Sequence, residues 1–164
     1  ILINFASMKV KLICVGKTIN NYLIEGEKEY IQRLNHYNSV EKIEIPEIKN
    51  AKNLSKDQIK KTEGDLIMKH LQPSDTIILL DENGINFSSI KFAQYLQKKF
   101  NSGGKNLIFI VGGAYGFSDE IYALANDKIS LSKMTFSHQM VRLFFLEQVY
   151  RAFTILKGEP YHHE

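Results

Sequence analysis

Apolar positions recur along this chain in two rhythms that take turns, one strand-like and one helix-like. Lys9 to Val15 is apolar and β-branched, stops at Gly16, and predicts a first strand. From Asn20 to His36, Tyr22, Leu23, Tyr30 and Leu34 fall at helical spacing. Val40, Ile43, Ile45 and Ile48 mark a second strand, placed near a sheet edge by Pro46. Ser55 suits the N-cap of a helix reaching Leu71, with Ile59, Leu66, Ile67 and Leu71 on its inner face and Pro73 breaking it. Thr76 to Leu80 is a continuous apolar run, the mark of a buried parallel strand, and it meets Asp81-Glu82-Asn83-Gly84. Ser88 or Ser89 caps a helix to about Phe100, and Leu107 to Val111 is a fourth strand. A short helix from Ser118 to Asn126, a fifth strand from Lys128 to Leu131 and a long helix from Gln139 to Lys157 complete the pattern.

Strands alternating with helices predict an α/β fold, with a mostly parallel sheet and helices on both faces. One domain is expected over residues 8–164. Met8-Lys9 resembles a natural start, so residues 1–7 read as an upstream extension or an expression scar. Ligands of such sheets bind at the carboxyl ends of the strands. Suitable loops leave the strands at Leu80 to Gly84, Gly112 to Gly116 and Leu131 to Ser137. Gly112-Gly113 either lets a flat ligand approach the backbone or makes a tight turn into the next helix. It lacks the Gly-Lys-Ser/Thr ending of a phosphate loop, and it is not a dinucleotide fingerprint. Ser132 to Thr135 offers backbone and small hydroxyls to an adenine or ribose, or else caps the last helix through Ser137.

Composition narrows the classes. The 164 residues are 44% hydrophobic and 24% charged, ordinary for a soluble domain with a sizeable core. No apolar run is long enough to span a bilayer, and Ile1 to Ser7 has no basic start of a signal peptide. The single cysteine, Cys14, lies in an apolar strand and is expected to pack rather than react. These features together point to the cytoplasm. A net charge of +3 is mildly basic, short of an autonomous nucleic-acid binder. Lysines gather at Lys49, Lys52, Lys56, Lys60 and Lys61, and at Lys98, Lys99 and Lys105. They are solvated helix faces, or a phosphate-steering surface whose specificity a structured partner supplies. No His, Cys, Asp and Glu set has metal-ligand spacing, so no metal is implied.

The last helix is apolar almost all round, so it is buried in the domain or against a second copy; a homodimer is expected. Arg142 lines up with Leu146, Val149 and Phe153, where a charge needs a partner. It is either a structural ion pair across the interface with a second copy or a guanidinium aimed at a phosphate or an anionic base. Glu147 and Arg151 are spaced to pair along the helix. His138, alone at its start, reads as a capping or packing residue. Gly158 suits the helix stop, and Tyr161-His162-His163 follows. A terminus of this kind frays by default; its rings can instead fold over a loop and touch a stacked base.

Four segments together resemble a known family: Gly112-Gly113-Ala114-Tyr115-Gly116, Ser130 to Gln139, Glu147-Gln148-Val149-Tyr150-Arg151-Ala152 and Pro160-Tyr161-His162. They are similar to the knotted SPOUT methyltransferases, and among them to the branch that methylates N3 of a pseudouridine in bacterial large-subunit rRNA. Ser137 stands where relatives commonly carry proline. The resemblance implies a C-terminal trefoil knot and a homodimer binding S-adenosylmethionine. Carried over by position, the cofactor contacts are Leu80, Gly112, Leu131, Ser132, Lys133, Met134, Thr135 and Phe136. The implied partner is an rRNA hairpin on the assembled 70S ribosome, with no membrane and no metal. Arg142 would steady the developing anion, while Tyr161 and His162, from the same or the other subunit, would hold the base or take its proton. Rival readings are a knotted enzyme acting on another RNA such as tRNA, a non-catalytic ribosome-binding factor of the same fold, and an unrelated protein preferring ATP or NAD.

Overall fold

Asn106–Val111 is buried at every position, which only a central strand covered on both faces allows. A computed structural model describes residues 8–163, so the expectation for residues 1–7 lies outside the described residues. The elements alternate as β1 (Lys9–Val15), α1 (Asn21–Leu34), β2 (Val40–Ile45), α2 (Lys56–Met68), β3 (Thr76–Asn86), α3 (Ser89–Asn101), β4 (Asn106–Val111), α4 (Asp119–Leu124), β5 (Asp127–Ser130) and α5 (Met140–Lys157). A 3₁₀ turn, Ala51–Asn53, precedes α2. The sheet has five strands in the order β2-β1-β4-β3-β5, and every pairing is parallel.

Two apolar clusters sandwich this sheet. Alternate residues of β1 and β4, such as Leu12 and Phe109, join α1, α3 and α5 on one face. Their neighbours, such as Ile13 and Ile108, join α2 and α4 on the other. Cys14 packs fully buried in the first cluster, and burial pushes its thiol up to about 12. It is a small apolar residue here rather than a nucleophile.

Helix starts follow the expected chemistry. Ser55 forms a capping box with Gln58, while Ser88 and Ser118 cap α3 and α4. Gly158 ends α5 in the left-handed region at φ 69°. The Ser137 hydroxyl accepts from the Met140 amide at 3.1 Å, so serine serves at the start of α5. β2 stops at Ile45, before Pro46, and lies at the edge.

β3 departs from expectation. The apolar run predicts an end at Leu80, yet the strand continues to Asn86. Leu80 and Ile85 both face Ile129 of β5, with a register break between them. Gly84 makes this possible: a Cβ there would sit 2.4 Å from the Ile129 carbonyl carbon. Close backbone approach, invisible to a hydrophobic pattern, lets β3 resume its pairing.

Candidate active site

A cavity of about 420 Å³ opens at the carboxyl ends of β3, β4 and β5, neighbours in the sheet. Its lining takes in all of Gly112 to Gly116 and, from the resemblance set, Leu80, Leu131, Ser132, Met134, Thr135 and Phe136. Lys133 is exposed and is not among the lining residues. The three segments picked out by the hydrophobic pattern, the first of them the irregular stretch of β3 at its register break, therefore converge on one space, of a size that suits a nucleoside-sized ligand.

Local chemistry holds each wall. Gly113 and Gly116 bridge in a tight turn, with Gly116 at φ 80°. A Cβ on Gly113 would lie 2.7 Å from both carboxylate oxygens of Glu63, and one on Gly112 would lie 3.1 Å from the Phe117 ring. The paired glycines thus answer to packing behind the loop, and Glu63 of α2 backs it. Burial and then the Glu47 charge raise the Glu63 carboxyl above its usual range. On the opposite wall, the Ser130 hydroxyl donates to the Ser132 carbonyl at 2.7 Å, and the Met134 amide donates to the Ser132 hydroxyl at 3.0 Å. That bonding stiffens the loop and leaves Met134 78% exposed at its tip.

Tyr122, which the sequence did not single out, adds to the lining beside Asp81. Tyr122 of α4 donates to Asp81 at 2.6 Å, and Asp81 also accepts from the Asn83 amide at 2.8 Å. Burial and the Asp81 bond push the Tyr122 phenol up to about 12, so it stays a donor. Val141 and His138 close the side next to α5. No spacing rule finds Tyr122, because only the packing of α4 across the sheet brings it there.

Arg142, Tyr161 and His162 are not among the lining residues. Arg142 is fully buried and spends its guanidinium on oxygens of its own chain. Nη2 donates to the Val15 carbonyl at 2.7 Å, Nη1 to the Gly16 carbonyl at 2.9 Å and Thr18 Oγ1 at 3.0 Å, and Nε to the His138 carbonyl at 3.0 Å. Neither expected reading anticipated these partners. Thr18 in turn joins buried Glu27, which pairs with Lys42, so the charge is balanced at one remove. Gln139 adds a bond from the Ile19 amide at 3.0 Å. The end of β1 is thereby latched to the start of α5, where the cavity loop ends.

The tail is folded. The Tyr161 hydroxyl donates to Glu147 Oε1 at 3.1 Å and lies 3.3 Å from the Tyr30 hydroxyl; His162 Nδ1 lies 3.3 Å from Arg151 Nη1. Among the described residues, no group of three His, Cys, Asp or Glu is placed to hold a metal, and no helix is long and apolar enough to cross a membrane.

Along residues 8–162 the amino-acid sequence matches a family model described as predicted SPOUT methyltransferase. The chain belongs to the SPOUT methyltransferase family. It is 57% identical over 157 residues to the ribosomal RNA large subunit methyltransferase H of Parabacteroides distasonis, covering 96% of this chain and 100% of that one. It is 61% identical over 156 residues to the protein of the same name from Cytophaga hutchinsonii, covering 95% and 100%. Among solved structures, a probable methyltransferase from Bordetella pertussis Tohama I superposes with a TM-score of 0.57 at 10% identity, covering 88% of this chain and 94% of that one. At that identity the likeness concerns the fold.

Proposed function

We propose that this chain is a cytoplasmic, homodimeric enzyme that transfers a methyl group from S-adenosylmethionine to N3 of a pseudouridine in large-subunit rRNA on assembled 70S ribosomes. One observation carries the reading. The loops at Leu80, Gly112 to Gly116 and Leu131 to Phe136 enclose one cavity, in a chain whose relatives are named large-subunit rRNA methyltransferases along nearly its whole length. The trefoil knot implied by the resemblance belongs to the same proposal.

The donor set fits the cofactor. Leu80, Leu131 and Phe136 would hold its adenine by apolar contact, Ser132 and Thr135 would offer it polar contacts, and the carboxylates of Asp81 and Glu82 would favour its positive charge. When bound, S-adenosylmethionine supplies an electrophilic methyl group. N3 of the base is the acceptor and loses its imide proton as the new bond forms. The residues of the chain align the two reactants and shield them from water. We assign Arg142 to positioning: through the His138 and Gly16 carbonyls it sets the cavity loop against the β1 end. Ile19, Tyr22, Met140 and Phe144 form an exposed apolar face around the start of α5, with Phe136 packed on Phe144, and a second copy covers this face. The tail, anchored through Tyr161, then presents His162 to the base bound at the partner's cavity.

For docking on RNA, residues 48–56 carry Lys49, Lys52 and Lys56 and no carboxylate. Lys60 and Lys61 are engaged with Asp57, Asp65 and Glu120. The Lys56 ammonium stands 5.5 Å over the ring of Tyr115 at the cavity. Replacing Lys49, Lys52 and Lys56 together with glutamine is expected to raise KM for ribosomes, spare kcat, and lower the log–log salt slope by roughly two. An unchanged slope would remove this strip from the docking surface.

The direct test is transfer of labelled methyl from S-adenosylmethionine to 70S ribosomes, with free rRNA, isolated subunits and tRNA alongside. Label on large-subunit rRNA of 70S particles alone is the expected result. Label on tRNA would keep the methyltransferase and discard this substrate. Absence of both transfer and cofactor binding would favour a non-catalytic ribosome-binding factor.

A further inference from the structure

A chain end with five polar or aromatic residues after a glycine stop has no intrinsic reason to hold one conformation. Here it doubles back onto α1 and α5. The Glu159 amide donates to the Thr154 carbonyl at 2.9 Å, and the Tyr37 hydroxyl donates to the Glu159 carboxylate. The hub is Glu147, whose side chain is only 18% exposed. Its Oε1 accepts from Arg151 Nε at 3.1 Å, from Arg151 Nη2, and from the Tyr161 hydroxyl at 3.1 Å; its Oε2 accepts from Gln148 at 2.8 Å. Both carboxylate oxygens are therefore used.

Tyr161 is held from three sides. Its hydroxyl donates to Glu147, so the Tyr30 hydroxyl, 3.3 Å away, is the donor in their contact. Its ring lies 4.8 Å from the Arg151 guanidinium carbon and meets Tyr150 edge-on at 4.8 Å. Burial, together with the charge and hydrogen bond of Glu147, holds the phenol above its usual range, so Tyr161 is an anchor rather than a proton acceptor. His162 follows directly in the chain. A guanidinium only donates, so His162 Nδ1 is the acceptor in its 3.3 Å contact with Arg151. A neutral imidazole in that contact carries its proton on Nε2.

We propose that Glu147, with Tyr30 and Arg151, forms a clasp that positions the tail for catalysis, anchoring Tyr161 and setting the orientation and tautomer of His162. This rests on the reading that the tail serves the methyl-accepting base. Glu147 is a positioning residue, because it acts through Tyr161 and Arg151 rather than on the base.

The experiment is a double-mutant cycle in the full-length protein, assayed by methyl transfer to 70S ribosomes, with S-adenosylmethionine binding by calorimetry and Tm for each variant. The set is Glu147→Gln, Tyr161→Phe, their combination, Tyr30→Phe, which removes one hydroxyl from the far end of the chain of bonds, and deletion of residues 159–164. Glu147→Gln is expected to lower kcat about ten-fold or more while KM for ribosomes and cofactor affinity hold, and the combination is expected to be no slower than the slower single variant. Tyr30→Phe is expected to show a smaller loss of the same kind. Additive losses, a loss matched by weaker cofactor binding, or unchanged kcat in Glu147→Gln while the deletion is inactive would overturn the clasp. Full turnover after the deletion would instead remove the premise that the tail acts on the base.

Discussion

Arg142→Ala is expected to destabilise the protein by about 3–5 kcal/mol, the cost of taking one member out of a buried charged network. For a chain of this size that is a Tm lower by roughly 10 °C. The magnitude follows from what the guanidinium holds. Four oxygens, from Val15, Gly16, Thr18 and His138, accept from it inside the protein, and alanine leaves them without those donors. Arg142→Met keeps most of the side-chain volume and loses the same bonds, so it separates hydrogen bonding from cavity formation. Denaturant unfolding measures both, and methionine should recover only a minor part of the loss. Turnover on ribosomes should fall with each, because the latch sets the end of the cavity loop. Wild-type stability and turnover in Arg142→Ala would end the latch argument.

Gly84→Ala should do the most damage for the fewest atoms. The added carbon meets the Ile129 backbone at 2.4 Å, 2.6 Å and 2.6 Å, so no side-chain rotation relieves the clash. β3 and β5 must separate, and β5 carries both Ile129 and Ser130 into the cavity lining. Overpacking of this kind costs about 1–3 kcal/mol, and S-adenosylmethionine binding should weaken at least about ten-fold with it. Calorimetry at equal folded fraction reads the binding directly; unchanged affinity would show that the β3–β5 contact does not shape the site.

What the chain made legible follows from local rules. Strand and helix periods placed ten elements because each buries one face or both, and Ser55 and the Ser88-Ser89 pair announced α2 and α3 by a chemistry confined to four residues. The convergence of three loops was legible because parallel strands put their carboxyl ends on one side. Long-range geometry was not. Arg142 offered only a charge on an apolar stripe, and its carbonyl partners lie more than a hundred residues upstream at Val15 and Gly16. Gly84 read as the end of a strand-end loop, since the close approach of Ile129 belongs to another strand. Tyr122 carried no motif at all. The tail, read locally, ought to fray; the residues that hold it, Tyr30 and Tyr37, come from α1 and the turn after it.

The pairing of β1 with β4 sets the order in which the molecule can form. Lys9 finds its partner in Asn106, nearly a hundred residues downstream, so the first strand made is half-paired until the fourth exists. α5 then contributes Phe145, Leu146, Val149 and Phe153 to the cluster that covers one face of the sheet. A nascent chain halted before α5 leaves that face of β1 and β4 covered only in part, by α1 and α3. Such non-local pairing makes folding slow and the unfinished sheet prone to associate with itself. The last helix thus closes the core as well as bordering the cavity, and truncations within it should yield aggregates rather than partly active enzyme.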